Sequence, residues 1–210
     1  MNELFGNIIS TIIQIGIFTL IPFVAFQFRK DKTITFSKYI GFYKPTGKSI
    51  IYVLLTSILI FVSGIILVQT NSGIKDAVFA PNSVTGQIKH MGLSFKSILT
   101  LLIIALFKTS LSEEILFRGF IAKKLILKFG FNVGNAIQSI IFGLLHLLLF
   151  WALTKTTIIN LLIIFALTTV AGWTIGMIKE KYANGSIIPG WIAHGIGNVL
   201  AYSVIAFVLK

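Results

Sequence analysis

Hydrophobic residues run along this chain in six long stretches that are separated by shorter polar segments. The stretches cover approximately residues 4–28, 49–70, 95–117, 132–152, 157–178 and 187–208. Each is close to the roughly 20 apolar residues that a helix needs to cross a bilayer core. Because a backbone surrounded by lipid must satisfy its own hydrogen bonds, we expect every stretch to be a helix. The pattern predicts an all-α, polytopic membrane helix bundle with about six transmembrane helices.

The composition agrees with this pattern, since 56% of the 210 residues are hydrophobic and only 11% are charged. The chain has no cysteine, which excludes disulfide bonds, thiolate nucleophiles and thiolate metal ligands. Segment 71–94 is the least hydrophobic stretch and contains turn formers, so we expect an external loop with a short surface helix. We therefore divide the chain into N-terminal scaffold spans with an external loop, residues 1–94, and a second unit, residues 95–210, that carries the polar motifs.

The net charge of +12 is compatible with nucleic-acid binding, but its placement indicates a membrane topology instead. Basic residues concentrate in the segments 29–48, 118–130 and 179–186, which fall on one side of a six-span bundle. The positive-inside rule puts these segments in the cytoplasm and both chain termini outside. The same charges attract anionic lipid headgroups. We expect an integral membrane protein that contacts membrane lipids and binds no nucleic acid.

Two adjacent acids, Glu113 and Glu114, lie at the end of the third hydrophobic stretch of a chain with only six acidic residues. An ionisable group at membrane depth is costly, and by default it marks a functional site. Residues four apart share a helix face, so Glu114 can pair with Arg118. Glu113 is turned by about 100° and stays available as a general base near neutral pH. Lys108 falls on the far side of the helix, and we do not assign it to a site.

Two further polar pairs have the spacing of a single helix face. Phe142 and His146 lie in the fourth stretch, and His194 and Asn198 lie in the sixth. Gly130 is the natural turn between the third and fourth stretches, and an antiparallel hairpin centred there places the first two motifs at nearly equal depth. A lone intramembrane histidine is often a hydrogen-bonding contact between helices. Three motifs in this order are harder to attribute to packing.

At these residues the chain resembles the CPBP family, the CAAX-protease and bacteriocin-processing (Abi) group of intramembrane endopeptidases. The family pattern is Glu-Glu-x3-Arg, then Phe-x3-His, then His-x3-Asn, and all three parts are complete here. The resemblance covers roughly residues 95–205. It implies that residues 95–210 form a CPBP/Abi-like catalytic core and that the reaction is hydrolysis of a peptide bond, similar to that of type II CAAX prenyl proteases.

The resemblance also implies a role for each motif residue. Glu113 and His146 would activate a water for attack on a peptide carbonyl. His194 and Asn198 would donate to the oxyanion of the tetrahedral intermediate, where losing one donor commonly costs about 10²–10³ in rate. Glu114 and Arg118 would hold the first motif in place. The supporting residues of the pattern are Glu114, Arg118 and Phe142.

Metal dependence stays open at this point, because the family is usually called a group of metalloproteases. Glu113, His146 and His194 could supply three ligands to zinc and leave one open position. The same residues could run a metal-free glutamate mechanism. We favour the metal-free reading, because the oxyanion role and the ligand role compete for the single imidazole of His194.

The resemblance implies a peptide or a lipid-modified protein as substrate. The compact chain looks more like a bacterial member, which implies a bacterial plasma membrane and a role in bacteriocin processing or self-immunity. Two other functions stay open. One is a non-proteolytic, peptide-binding immunity protein on the same fold, and the other is a proton-coupled transporter that uses Glu113 as a relay. The lack of a visible inverted repeat counts against transport. The oligomeric state does not follow from the sequence.

Overall fold

The structure, a computed structural model, describes residues 3–29, 33–45, 49–154 and 156–209. These residues form helices and turns, with no strand among them. The α-helices are α1 (Glu3–Gln27), α2 (Phe36–Tyr39), α3 (Ile50–Thr70), α4 (Ser72–Phe79), α5 (Val84–His90), α6 (Phe95–Leu102), α7 (Lys123–Leu153), α8 (Ile158–Met177) and α9 (Ile188–Phe207). Wider π-helical segments, Ile103–Leu111, Glu114–Ala122 and Ile178–Tyr182, continue α6 and α8. Parts of the basic segment 29–48, residues 30–32 and 46–48, lie outside the described residues.

Among the described residues, five helices are long and apolar enough to cross a membrane. They are Glu3–Gln27, Ile50–Thr70, Phe95–Leu153, Ile158–Tyr182 and Ile188–Phe207. The third is 59 residues long and is interrupted at Gly130, whose φ of 76° and ψ of 169° lie outside the helical region. The interruption divides it into two spans. The predicted all-α bundle of about six spans is thus confirmed, and the chain is an integral membrane protein.

The two arms on either side of Gly130 form an antiparallel hairpin. A Cβ atom on Gly134 would lie 2.5 Å from the backbone nitrogen of Ile126, so the arms approach closely only because this position is glycine. Farther from the turn, the rings of Phe117 and Phe142 meet edge to face with their centroids 5.0 Å apart. The members of each pair, Ile126 with Gly134 and Phe117 with Phe142, lie at nearly equal distances along the chain from Gly130. This register places the first two polar motifs at the same level of the bundle, as the sequence predicts.

The segment 71–94 forms two short helices, α4 and α5, where the sequence pattern predicted one short surface helix. Ile74 in α4 and Ile88 in α5 are both buried. Ile88 packs against Leu101 of α6, and the side chain of Asn160 in α8 donates a hydrogen bond to that of Asn71 at 2.8 Å. The prediction was incomplete because each of these short helices packs against the bundle through a buried isoleucine. One such residue hardly changes the mean hydropathy of the segment.

The first two spans pack directly against the helices that carry the polar motifs. The amide of Gln14 in α1 donates to the carbonyl of Lys108 at 2.7 Å, and the hydroxyl of Ser57 in α3 donates to the carbonyl of Ala193 at 3.0 Å. The ammonium of Lys108 donates to Ser10 of α1 at 3.0 Å. Lys108 therefore faces α1, as expected for a residue outside the polar cluster, and residues 1–94 supply one wall of the same bundle.

Candidate active site

The two acids lie where the third span departs from α-helical geometry. The π-helical segments Ile103–Leu111 and Glu114–Ala122 flank the short connection that contains Glu113. Such wider turns occur frequently at functional sites. Hydroxyl groups supply polar partners inside the widened segment, since Thr109 and Ser110 both donate to the carbonyl of Ala105, at 3.2 and 2.6 Å. The hydrophobic pattern gave no sign of this change in helix type.

Glu114 and Arg118 form the ion pair that their spacing predicts, and it is completely buried. Both side chains are 0% exposed, and Nη1 of Arg118 lies 3.1 Å from Oε1 of Glu114. The guanidinium carbon also lies 4.2 Å from the centre of the Phe142 ring, within the range of a cation–π contact. Phe142 therefore supports the arginine as well as the histidine that follows it on α7.

His194 of α9 places its ring between the two acids. Its Nδ1 lies 3.4 Å from Oε1 of Glu114, and its Nε2 lies 3.9 Å from Oε2 of Glu113. Because an ionised carboxylate only accepts hydrogen bonds, Nδ1 carries the hydrogen that points to Glu114. The contact with Glu114 was not predicted, since the sequence pattern assigns that acid to Arg118 alone. Glu114 therefore fixes the orientation of the histidine ring and directs Nε2 toward Glu113.

Glu113 is the acid that can meet a substrate. Its side chain is 16% exposed, whereas that of Glu114 is 0% exposed. Among the described residues, Oε2 of Glu113 is buried without a hydrogen-bond partner, and its 3.9 Å separation from His194 exceeds a hydrogen bond. Oε2 of Glu114 also lacks a hydrogen bond there, but its Oε1 already faces both Arg118 and His194. The two neighbouring acids therefore have different surroundings.

His146 is held by a backbone contact that fixes its tautomer. Its Nδ1 lies 2.9 Å from the carbonyl oxygen of Phe142. A carbonyl only accepts, so Nδ1 donates, and Nε2 keeps its lone pair when the ring is neutral. The ring of Phe142 lies 4.4 Å from that of His146 and 6.4 Å from that of His194, between centroids. The structure thus gathers the three motifs around Phe142.

Asn198 lies one turn beyond His194 on α9 and contacts the segment that precedes the acids. Its side-chain amide donates to the hydroxyls of Thr109 and Ser110, at 3.1 and 3.3 Å. In this conformation both amide hydrogens bond to the third span. The sequence pattern missed Ser110 as a partner, because a serine within an apolar run carries no signal that distinguishes a site from helix packing.

Tyr202 is a further residue near the acids that the sequence pattern did not single out. It lies beside Thr109 and within electrostatic range of Glu113. The sequence spacing could have identified it, because Tyr202 follows Asn198 by four residues and His194 by eight. Residues at this spacing lie on one face of a helix, so the three form a polar stripe along α9. The stripe faces the third span, so α9 supplies a polar wall to the site.

The three candidate zinc ligands, Glu113, His146 and His194, do not form a metal-binding cluster in this arrangement. Within the described part of the chain, no three histidine, aspartate or glutamate side chains are placed to hold a metal ion. A zinc site with three protein ligands needs bonds of about 2.0–2.2 Å to each of them. In this arrangement the three side chains are not placed for such a site, so we derive no catalytic step through a metal, and the choice between a zinc-dependent and a metal-free mechanism stays a prediction.

Comparison with known proteins identifies the family. Searches of curated proteins and of solved structures gave no significant match. The sequence profile of the type II CAAX prenyl endopeptidase Rce1-like family matches residues 95–200, about half of the chain. This range begins at the first residue of α6, ends within α9 and includes all three motifs. The chain belongs to the type II CAAX prenyl endopeptidase Rce1-like family.

Proposed function

We propose that this protein is an intramembrane endopeptidase that hydrolyses a peptide bond with a water activated by Glu113 and His146. Peptidase activity in general follows from the family, and the assignment of roles is our own. The observation that carries it is the difference between the two acids. Glu114 is fully buried and its Oε1 faces both Arg118 and His194, whereas the side chain of Glu113 is partly exposed and, among the described residues, its nearest charged or titratable neighbour, His194, lies beyond hydrogen-bond distance.

The first step is proton removal from the attacking water. Glu113 accepts the proton at Oε2, and the lone pair on Nε2 of His146 accepts the second hydrogen of the same water. The two acceptors fix the position of the water. As its O–H bond to the hydrogen that Glu113 takes breaks, a lone pair on the water oxygen attacks the carbonyl carbon. General base catalysis of this kind contributes about 10²–10⁴ in rate. The proton held by Glu113 then passes to the leaving amine.

The second requirement is stabilisation of the oxyanion. When both carboxylates are ionised and His194 is protonated, the net charge of the site is zero. The four groups that contribute are Glu113, Glu114, Arg118 and His194. Nε2 of His194 then carries a hydrogen that can donate to the oxyanion. Asn198 is the second donor, once it exchanges its longer hydrogen bond, the 3.3 Å contact with Ser110, for the substrate oxygen. Preorganised donors of this kind are worth most where water is excluded.

The substrate proposal follows from the family and from the charge distribution. We propose a peptide or a lipid-modified protein tail, which reaches the site from the cytoplasmic side of a bacterial plasma membrane. The basic segments 29–48, 118–130 and 179–186 would face the cytoplasm. Bacteriocin processing or self-immunity would be the biological setting. The proposed mechanism is metal-free and uses only side chains of this chain.

The test is a cleavage assay on the purified full chain in bilayer nanodiscs. A peptide library that includes prenylated peptides is incubated with wild type, Glu113→Gln and His146→Ala, with and without a chelator. Two matched controls are Asp76→Asn and His90→Ala, which alter exposed residues in the 71–94 segment. We expect the first two variants to lose at least 100-fold in kcat/KM and the controls to retain activity.

Three results would contradict the proposal. If wild type binds peptides but cleaves none of them, the protein is a non-proteolytic binding protein. If cleavage continues in Glu113→Gln at the rate of Asp76→Asn, Glu113 is not the base. If the chelator abolishes cleavage and zinc restores it, the metal-free mechanism is wrong.

A further inference from the structure

Gln14 is a polar side chain near the middle of α1, a span that buries few of its own residues. The buried residues of α1 are Thr11 and Pro22. Gln14 follows Glu3, the first residue of the helix, by 11 positions, which is about 17 Å along the helix axis. A carboxamide at this depth of a membrane has no water to bond, so it needs a partner inside the protein. The contacts of Gln14 therefore show what α1 contributes to the bundle.

The carboxamide of Gln14 uses its two hydrogens on the third span. Its Nε2 lies 2.7 Å from the carbonyl oxygen of Lys108 and 3.1 Å from the hydroxyl oxygen of Ser112. Because a carbonyl only accepts, the group that faces Lys108 must be the amide nitrogen, which fixes the orientation of the carboxamide. The hydroxyl of Ser112 donates to the same carbonyl. Side-chain donors from two different helices thus converge on one backbone oxygen, which has two lone pairs.

This backbone oxygen lies where the third span departs from α-helical geometry. Lys108 belongs to the π-helical segment Ile103–Leu111, and Ser112 directly follows that segment. A side chain that bonds to a backbone carbonyl competes with the regular hydrogen bonds of a helix, and helices bend where such a group enters the series. Ser112 is 0% exposed and directly precedes Glu113. Gln14 therefore acts on the stretch of backbone from which the side chain of Glu113 projects.

A second polar contact determines how α1 lies against the third span. The ammonium of Lys108 donates to the hydroxyl of Ser10 at 3.0 Å, and Ser10 and Gln14 share one face of α1 because they are four residues apart. Lipid tails are as apolar as the side chains of a span, so apolar contact alone does not select one arrangement of two membrane helices, whereas hydrogen bonds between them do. The two contacts together set the height and the rotation of α1 against the π-helical segment.

We propose that Gln14 is a positioning residue for peptide hydrolysis, an inference that rests on the proposed role of Glu113 as the general base. Its carboxamide holds the carbonyl of Lys108 and the hydroxyl of Ser112, and so fixes where the next residue, Glu113, presents its carboxylate to His194. Those two side chains lie 3.9 Å apart, and a displacement of about 1 Å can lower a catalytic rate about 100-fold. The support of the active site thus includes α1, which lies outside the matched residues 95–200.

The test compares Gln14→Met with a matched control, Gln87→Met, in the purified full chain in nanodiscs. Methionine keeps the length of the side chain but cannot donate, and the control removes a carboxamide that donates to the carbonyl of Asn82 at 3.3 Å in the 71–94 segment. We expect Gln14→Met to lower kcat about 10- to 100-fold with KM within about twofold of wild type, and Gln87→Met to match wild type. Amide hydrogen exchange of residues 109–115 should be faster in Gln14→Met alone, a readout that needs no cleavage.

A second variant, Ser112→Ala, tests the same link from the third span and decides the matter if Gln14→Met does not fold. It should lower kcat by itself, and it should cost less in the Gln14→Met background than in wild type, because both side chains act through one carbonyl. The inference is refuted if Gln14→Met keeps the kcat of Gln87→Met, if only its KM changes, or if Ser112→Ala has the kcat of wild type. Glu113→Gln separates the two proposals. Cleavage by Glu113→Gln at the wild-type rate refutes the proposed function, whereas an inactive Glu113→Gln beside a fully active Gln14→Met refutes this inference alone.

Discussion

Replacing Arg118 tests the buried ion pair more directly than any other single change. Arg118→Ala leaves Glu114, which is 0% exposed, without its guanidinium partner, and among the described residues His194 at 3.4 Å is the side chain that still contacts its carboxylate. Breaking a buried pair by removing one partner costs about 3–5 kcal/mol, because the remaining charge stays buried without compensation. Since 1 kcal/mol shifts the unfolding midpoint of a chain of this size by about 2–4 °C, we expect a midpoint lowered by roughly 6–20 °C.

The assay is thermal unfolding in detergent, followed by fluorescence, with two companion variants. Lys96→Ala changes an exposed basic residue and should leave the midpoint unchanged within error. The double variant Glu114→Leu/Arg118→Met replaces both charges by apolar groups and should recover most of the stability. It should still cleave poorly, because His194 loses the carboxylate that orients its ring. If Arg118→Ala unfolds at the temperature of Lys96→Ala, or if the double variant is no more stable than Arg118→Ala, the reasoning is refuted.

Three further predictions concern the catalytic groups and the hairpin. Glu113→Gln should lower kcat by about 10²–10⁴ with little change in the unfolding midpoint, whereas a large loss of stability would make Glu113 a structural residue. Asn198→Ala should lower kcat about 10²–10³-fold with KM nearly unchanged, and an effect on KM alone would argue against the oxyanion role. Gly134→Ala should destabilise the protein by about 1–3 kcal/mol, since its Cβ would lie 2.5 Å from the backbone of Ile126; an unchanged unfolding midpoint would contradict this hairpin packing.

The sequence predicted the features that depend on local spacing. The six hydrophobic stretches agree with the observed spans because length and hydrophobicity suffice to identify a membrane helix. The pair of Glu114 and Arg118 follows from four-residue spacing on one helix. The depth of the first two motifs follows from the position of Gly130, because helices rise by a constant distance per residue on both arms of a hairpin.

The features that the sequence did not predict depend on contacts between distant segments. The π-helical turns are not visible in a hydrophobic pattern, because the pattern records which residues are apolar and not how many residues each backbone hydrogen bond spans. The contact between His194 and Glu114 joins α9 to the third span, and only the packing of those helices decides which acid the ring reaches.

The π-helical geometry of Ile103–Leu111 has a consequence for changes in chain length. In a π-helix each backbone hydrogen bond spans five residues along the chain, one more than in an α-helix. Deleting a single residue from the segment would therefore favour its conversion to a regular α-helix. Each residue of the converted segment would turn by the roughly 100° of an α-helix instead of the smaller step of a π-helix, so the direction of everything that follows would change. Glu113 would then leave the face that His194 reaches. We expect the third span to tolerate many substitutions. A one-residue insertion or deletion between α6 and Glu113 should abolish activity, because the number of residues in this segment determines where the Glu113 side chain lies.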